Sequence, residues 1–221
     1  MSAQRPCFST PRSFVMLRQA LRQKHVFSSR FYSSTCSTSL GKRIIVTGGS
    51  GKAGQYIIPH LLSRDHQILN LDLTPPSQPI PNVHTLRTDL TSSGQVFNAL
   101  SSPFKLTQPF PIHSRPLQPP DAVIHLAYVN GTKNFYEKPV KTLDIAVKGI
   151  LNVIEGCIKN KVKELYLASS SEVYQTPNKI PTDEHEPLKI PNIYNPRYSY
   201  GGGKILTELM GIHYGKKYFN K

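Results

Sequence analysis

The stretch Arg43–Gly54 reads RIIVTGGSGKAG. Its first half is a short β-branched run ending in glycine, the pattern of a buried strand. Its second half holds Gly49-x-Gly51-x-x-Gly54, placed between that strand and the helical pattern KAGQYIIPHLLSR. Glycines here permit a tight turn and let backbone N–H groups approach a pyrophosphate, and the start of the helix adds partial positive charge. The cradle so predicted is Gly48, Gly49, Ser50, Gly51, Lys52, Ala53 and Gly54. No GK[ST] follows at the required spacing, which excludes a mononucleotide P-loop.

Outward from the loop the chain keeps alternating. QILNLDL is a second strand ending at Asp72, 18 residues after Gly54. A carboxylate at that point can accept both ribose hydroxyls and would repel a 2′-phosphate, which favours NAD over NADP. VHTLRTDL is a third strand closed by Asp89 and Leu90, where the aspartate can either contact an adenine edge or cap the next helix. SSGQVFNAL reads as a short helix, and residues 102–120 as a proline-dense loop insertion. DAVIHLAY is a fourth strand that delivers Leu126 and Ala127 to the same edge of the sheet. A helix between Val140 and Lys159 should bury Ile150, Ile154, Cys157 and Ile158. KELYLASSS is a fifth strand, residues 175–197 form a second proline-rich loop, and SYGGGKILTELMGIHYGKKYF is a final helix with Ile205, Leu209 and Ile212 on one stripe. Strands alternating with helices predict an α/β, Rossmann-type doubly wound parallel sheet with helices on both faces.

Composition limits the other classes. No apolar run in the 221 residues is long enough for a membrane span. Cys7, Cys36 and Cys157 stand far apart, with no spacing that suggests a metal site or a disulfide framework. The net charge of +14 is concentrated at one end. Residues 1–42 carry seven basic side chains and no acid; the 27 basic residues less these seven leave 20 against 13 acidic ones. The same segment is serine-rich, and Phe14, Leu17 and Leu21 fall on one helical face. An arginine-rich, serine-rich, acid-free arm has the make-up of an organelle transit peptide. RFYSS at Arg30–Ser34 resembles a mitochondrial processing site, so cleavage is expected near Tyr32 and a mitochondrial location follows. The alternative is a cytoplasmic protein with a disordered basic arm. Residues 43–221 lack an aromatic-basic recognition motif, so nucleic acid is not an expected partner.

TGGSGKAG, Asp72, Asp89-Leu90, His125-Leu126-Ala127, SSSEVY at Ser169–Tyr174 and Tyr200-x-x-x-Lys204 occur in one order over residues 43–221. In that order and spacing they resemble the extended short-chain dehydrogenase/reductase superfamily, specifically its NAD-dependent epimerase/dehydratase family. The resemblance implies NAD as cofactor, a nucleotide-sugar substrate, and a catalytic set of Tyr200, Lys204, Ser170 and Glu172. Tyr200 would take a proton from a sugar hydroxyl, Lys204 would favour the phenolate and hold the cofactor's ribose, and Ser170 would hydrogen-bond the sugar oxygen. Glu172 follows Ser171, where the dehydratases carry a first carboxylate, so SSSEVY resembles either the UDP-glucuronate decarboxylases or uncharacterised epimerases more closely. Its role is either a base on the sugar or a residue that orients it. No metal is implied.

Two features depart from the family pattern. Ala146 stands where the family often has asparagine, and Tyr128 replaces a small residue after His-Leu-Ala. The glycines Gly201, Gly202 and Gly203 weaken a helix, by about 0.5–1 kcal/mol each relative to alanine. They serve either close approach of a cofactor or close packing. Family members continue with a sixth strand and a smaller substrate domain, so the chain is expected to hold the cofactor half with little of the substrate half. By analogy it would pair with itself through the helices at Val140–Lys159 and Ser199–Phe219. A second reading is a non-catalytic NAD-binding accessory protein of a mitochondrial assembly.

Overall fold

The computed structural model describes residues 13–16, 41–101 and 119–219. Leu17, Leu21, the Arg30–Ser34 motif and residues 102–118 of the insertion lie outside the described residues. Six strands, β1 (Ser13–Met16), β2 (Arg43–Thr47), β3 (Gln67–Asp72), β4 (His84–Arg87), β5 (Ala122–His125) and β6 (Glu164–Leu167), form one sheet in the order β1-β6-β5-β2-β3-β4. Every pairing is parallel. The helices are α1 (Gly54–Leu62), α2 (Ser93–Ser101), α3 (Thr132–Glu137), α4 (Pro139–Asp144), α5 (Ile150–Lys159) and α6 (Ser199–Tyr214). Chain direction across the sheet reverses between β2 and β5. In doubly wound sheets that switch point opens a crevice beyond the carboxyl ends of the strands.

Side chains alternate along each strand and feed two cores. Ile45, Leu69, Leu71, Val123, Leu165 and Leu167 meet Val96, Ala99 and Leu100 of α2 and Ile150, Val153, Ile154 and Cys157 of α5. On the opposite face Ile44, Val46, Ile68 and Ala122 pack with Ile58 of α1. That helix continues through Pro59 to Leu62.

Several local readings change. Ser13–Met16 belongs to the arm expected to be helical and outside the fold, yet it pairs in parallel with Glu164–Leu167. The open edge of β6 offers unpaired N–H and C=O groups, and a strand satisfies them. The helix expected from Val140 to Lys159 is split: Pro139 starts α4 and a π-type turn, Ile145–Gly149, separates it from α5. The short helix α3 has no counterpart in the sequence reading; it starts after Gly131, whose φ is +103°, and buries Phe135. The third strand ends at Arg87, before Asp89. On α6 the buried face is Tyr200, Gly201, Gly203, Lys204, Thr207, Glu208 and Gly211. Leu209 and Ile212 face outward instead.

Candidate active site

The loop after β2 is held from inside the sheet. Gly48 donates its N–H to the Leu71 carbonyl at 2.8 Å, in a left-handed conformation with φ +73°. A Cβ there would lie 2.5 Å from the backbone of Ala127, so the position excludes any side chain. Gly49 donates its N–H to Asn70 Oδ1 at 2.9 Å. Asn70 in turn donates to Ser50 Oγ at 3.1 Å and Thr85 Oγ1 at 3.2 Å. This buried asparagine was missed in the sequence; the signal was a lone polar residue at the centre of an apolar strand, costly unless partnered. Asp72 accepts from the N–H groups of Ser50 at 3.1 Å and Thr74 at 3.3 Å.

Above the switch point lies a cleft of about 690 Å³. Gly48, Ser50, Gly51, Lys52, Ala53 and Asp72 line it, with Leu90, Leu126 and Ala127. Tyr200 and Lys204 line the same cleft, with Tyr128, Lys141, Ala168 and Ser169. Three lysines and a single aspartate line it, a balance suited to an anionic ligand. The first turn of α1 contains no acidic residue, so its positive end is not neutralised locally.

Tyr200 and Lys204 sit one turn apart on α6 and are 8% and 3% exposed, respectively. The Tyr200 ring stacks on Phe135 at 4.8 Å between centroids and meets Tyr128 edge-on at 5.0 Å. Lys204 Nζ donates to the Ala168 carbonyl at 2.8 Å and lies 4.1 Å from the Tyr128 ring centroid. Burial pulls the lysine down to about 8, still mostly protonated at neutral pH. Beneath, His125 Nδ1 and Thr47 Oγ1 share a hydrogen bond at 2.7 Å. Burial and then the Lys204 charge depress His125 to about 3, so its ring is neutral.

The remaining expected residues are placed differently. Gly49 and Gly54 shape the loop from behind and are absent from the lining. Asp89 accepts from the Thr91 N–H at 2.9 Å and hydroxyl at 2.8 Å, so its carboxylate serves the turn before α2 rather than the cleft. Ser169, not Ser170, lines the cleft, and its hydroxyl donates to the buried Glu208. Ser170 accepts from the Glu172 N–H at 3.2 Å and caps the short turn Ser171–Val173. Glu172 lies outside the lining and pairs with Arg197 Nη2 at 2.9 Å. The glycine run packs against protein. A Cβ at Gly201 would stand 2.8 Å from Gln175 Nε2, and one at Gly203 would stand 2.0 Å from Tyr128 Oη. Of the two uses expected for these glycines, close packing is the one observed.

Among the described residues no group of His, Cys, Asp or Glu could hold a metal ion, and no helix is long and apolar enough to cross a membrane.

With this geometry in place, comparison with known proteins is informative. The family model described as "NAD dependent epimerase/dehydratase family" matches residues 44–220. UDP-glucuronic acid decarboxylase 1 of Danio rerio is 28% identical, over 91% of this chain and 45% of its own. UDP-glucose 4-epimerase of Lactobacillus helveticus is 26% identical, over 80% of this chain and 51% of its own. Among solved structures, the Thermus thermophilus UDP-glucose 4-epimerase complex with NAD superposes with a TM-score of 0.63 at 25% identity, covering 80% of this chain and 51% of that one. The chain spans about half the length of the curated relatives it matches.

Proposed function

The chain belongs to the NAD dependent epimerase/dehydratase family, and from that premise we propose that its cleft binds NAD and that Tyr200 and Lys204 act on a hydroxyl of a nucleotide-sugar. The observation that carries this reading is that this buried pair and the glycine loop line one and the same cleft. The residues present fit the cofactor. Gly51 meets no atom closer than 3.2 Å where a Cβ would stand, the lining is rich in lysine, and Asp72 lies at the ribose end.

NAD, when bound, accepts a hydride from the sugar carbon and can return it. Tyr200 removes the hydroxyl proton as the hydride leaves. A free phenol is a poor base at neutral pH, with a pKa of about 10. An ammonium one helical turn away favours its ionised form. Lys204 supplies that charge in a site with little water, where the interaction is less screened. Ser170 accepts the Glu172 N–H and Glu172 pairs with Arg197, both outside the cleft lining, so neither is assigned a contact with the sugar; Ser169 is the serine of the lining. A second copy of the chain is the proposed partner, docking on Val140, Leu143 and Val147 together with Leu209 and Ile212, all exposed. The basic arm is proposed to direct the protein to mitochondria.

Titration calorimetry with NAD and with NADP tests the cofactor assignment; tighter binding of NADP would sink the role of Asp72. Turnover of UDP-glucose and UDP-glucuronate, followed by product analysis, tests the chemistry. Tyr200→Phe should abolish turnover and change NAD affinity only a few-fold. Co-migration with a large mitochondrial assembly would favour the competing reading, a nucleotide retained for stability alone.

A further inference from the structure

Tyr128 is tied to the Tyr200–Lys204 pair by two separate contacts. Its ring face lies 4.1 Å from Lys204 Nζ, inside the range of a cation–π contact. Its edge meets the Tyr200 ring at 5.0 Å and 80°. Its hydroxyl is buried with no hydrogen-bond partner among the described residues. A buried phenol that gives up its hydrogen bond needs a reason to be there. The hydroxyl sits in a notch that exists because Gly203 has no Cβ: one placed there would lie 2.0 Å from Tyr128 Oη and 2.6 Å from Ala146 Cβ. Tyr128, Ala146 and Gly203 come from the exit of β5, the π-type turn and α6. They are also places where the sequence is unusual, and here they fit one another.

We propose that Tyr128 is a positioning residue: its ring, admitted by the notch at Gly203, holds the Lys204 ammonium beside Tyr200. This rests on the proposed role of the Tyr200–Lys204 pair. Lys204 then has two fixed contacts in a buried setting, the Ala168 carbonyl and the aromatic face. Without the Tyr128 ring the lysine keeps the carbonyl and its longer approach, 5.9 Å, to the Tyr200 ring, and loses the nearer of its two aromatic faces. The other titratable groups around it are His125 below, Tyr200 on the same helix, and Glu208 one turn further on, which takes the Ser169 hydroxyl. Neutral His125 adds no competing charge.

The test is a titration of the Lys204 ammonium by NMR of the protein labelled with ¹³C-lysine, its signal assigned with Lys204→Met. It needs no substrate. Tyr128→Leu and Tyr128→Met, each checked for fold by circular dichroism, remove the aromatic face that favours the charged lysine and should lower the Lys204 midpoint by about half a pH unit. Tyr128→Phe keeps the ring and should move it by less than a third of that. Gly203→Ala, which fills the notch, should behave like Tyr128→Leu. A Lys204 midpoint unmoved in folded Leu and Met variants overturns the proposal, as does a Phe variant that shifts as far as Leu. A wild-type Lys204 with no through-space contact to the Tyr200 ring separates the pair itself and overturns both readings. A contact present with an unmoved midpoint overturns only this one.

Discussion

The side-chain oxygen of Asn70 accepts the backbone N–H of Gly49 at 2.9 Å, so the middle of one strand holds the loop that leaves the end of its neighbour. Asn70→Leu would leave that N–H buried and unpaired. The expected loss is about 1–3 kcal/mol of stability, read as a lower thermal midpoint of roughly 2–4 °C per kcal/mol. Because the loop itself loosens, NAD affinity measured by calorimetry should fall about tenfold, the equivalent of about 1.4 kcal/mol.

Gly48 and Gly51 should separate folding from binding. Gly48 has φ +73° and faces the Ala127 backbone, so Gly48→Ala should lower the melting temperature sharply and remove NAD binding with it. Gly51→Ala meets only the Gly48 carbonyl, at 3.2 Å. It should melt within a few degrees of wild type yet bind NAD at least about tenfold more weakly, since its open side is where a pyrophosphate approaches.

The pH dependence has a definite sign. Lys204 falls from 10.5 unfolded to about 8 folded. Between those values the unfolded chain binds the extra proton, so this group's contribution to stability rises with pH from about 8 towards 10.5. His125, depressed from 6.5 to about 3, acts likewise, and its contribution is lost as pH falls from 6.5 towards 3. Denaturant melts across pH should show Lys204→Met with a flatter profile on the alkaline side than wild type. Turnover should decline above about pH 8, as the ammonium that supports Tyr200 is lost.

The exposed apolar residues on α4, the π-type turn and α6 predict self-association. Leu209 is 50% and Val147 43% exposed. Leu209→Glu with Val147→Glu should convert a dimer to a monomer in light scattering, with secondary structure unchanged. A wild-type protein that is monomeric at high concentration would rule out this surface as a dimer interface.

Much of the site was legible because its residues do jobs few others can do. The glycine loop between a strand and a helix, the acid ending the next strand, and a tyrosine four residues before a lysine each carry their chemistry in their spacing. Asn70 was not read as part of the site, and Tyr128 was read only as a departure from the family pattern, because their contacts are distant in sequence: Asn70 with Gly49, Tyr128 with Gly203 and Lys204. The stripe Ile205, Leu209, Ile212 illustrates a different limit. Periodicity reports that a helix has an apolar side, but not whether that side meets the core or another surface. On α6 the side against the protein is glycine and polar, since Tyr128, Gln175 and Ser169 must fit there. Ser170 and Glu172 were expected by position; the turn that engages Ser170 is local, while the ion pair that engages Glu172 depends on Arg197, 25 residues further on.

The strand Ser13–Met16 gives part of the arm a place in the sheet. If those residues also serve as an address label, a cut at Arg30–Ser34 strips the outer slat from the wall and leaves the β6 border facing water. Sorting and architecture would then compete for the same few residues. The delivered form would need some other stretch of polypeptide to cover the exposed border, and would be adhesive until it found one.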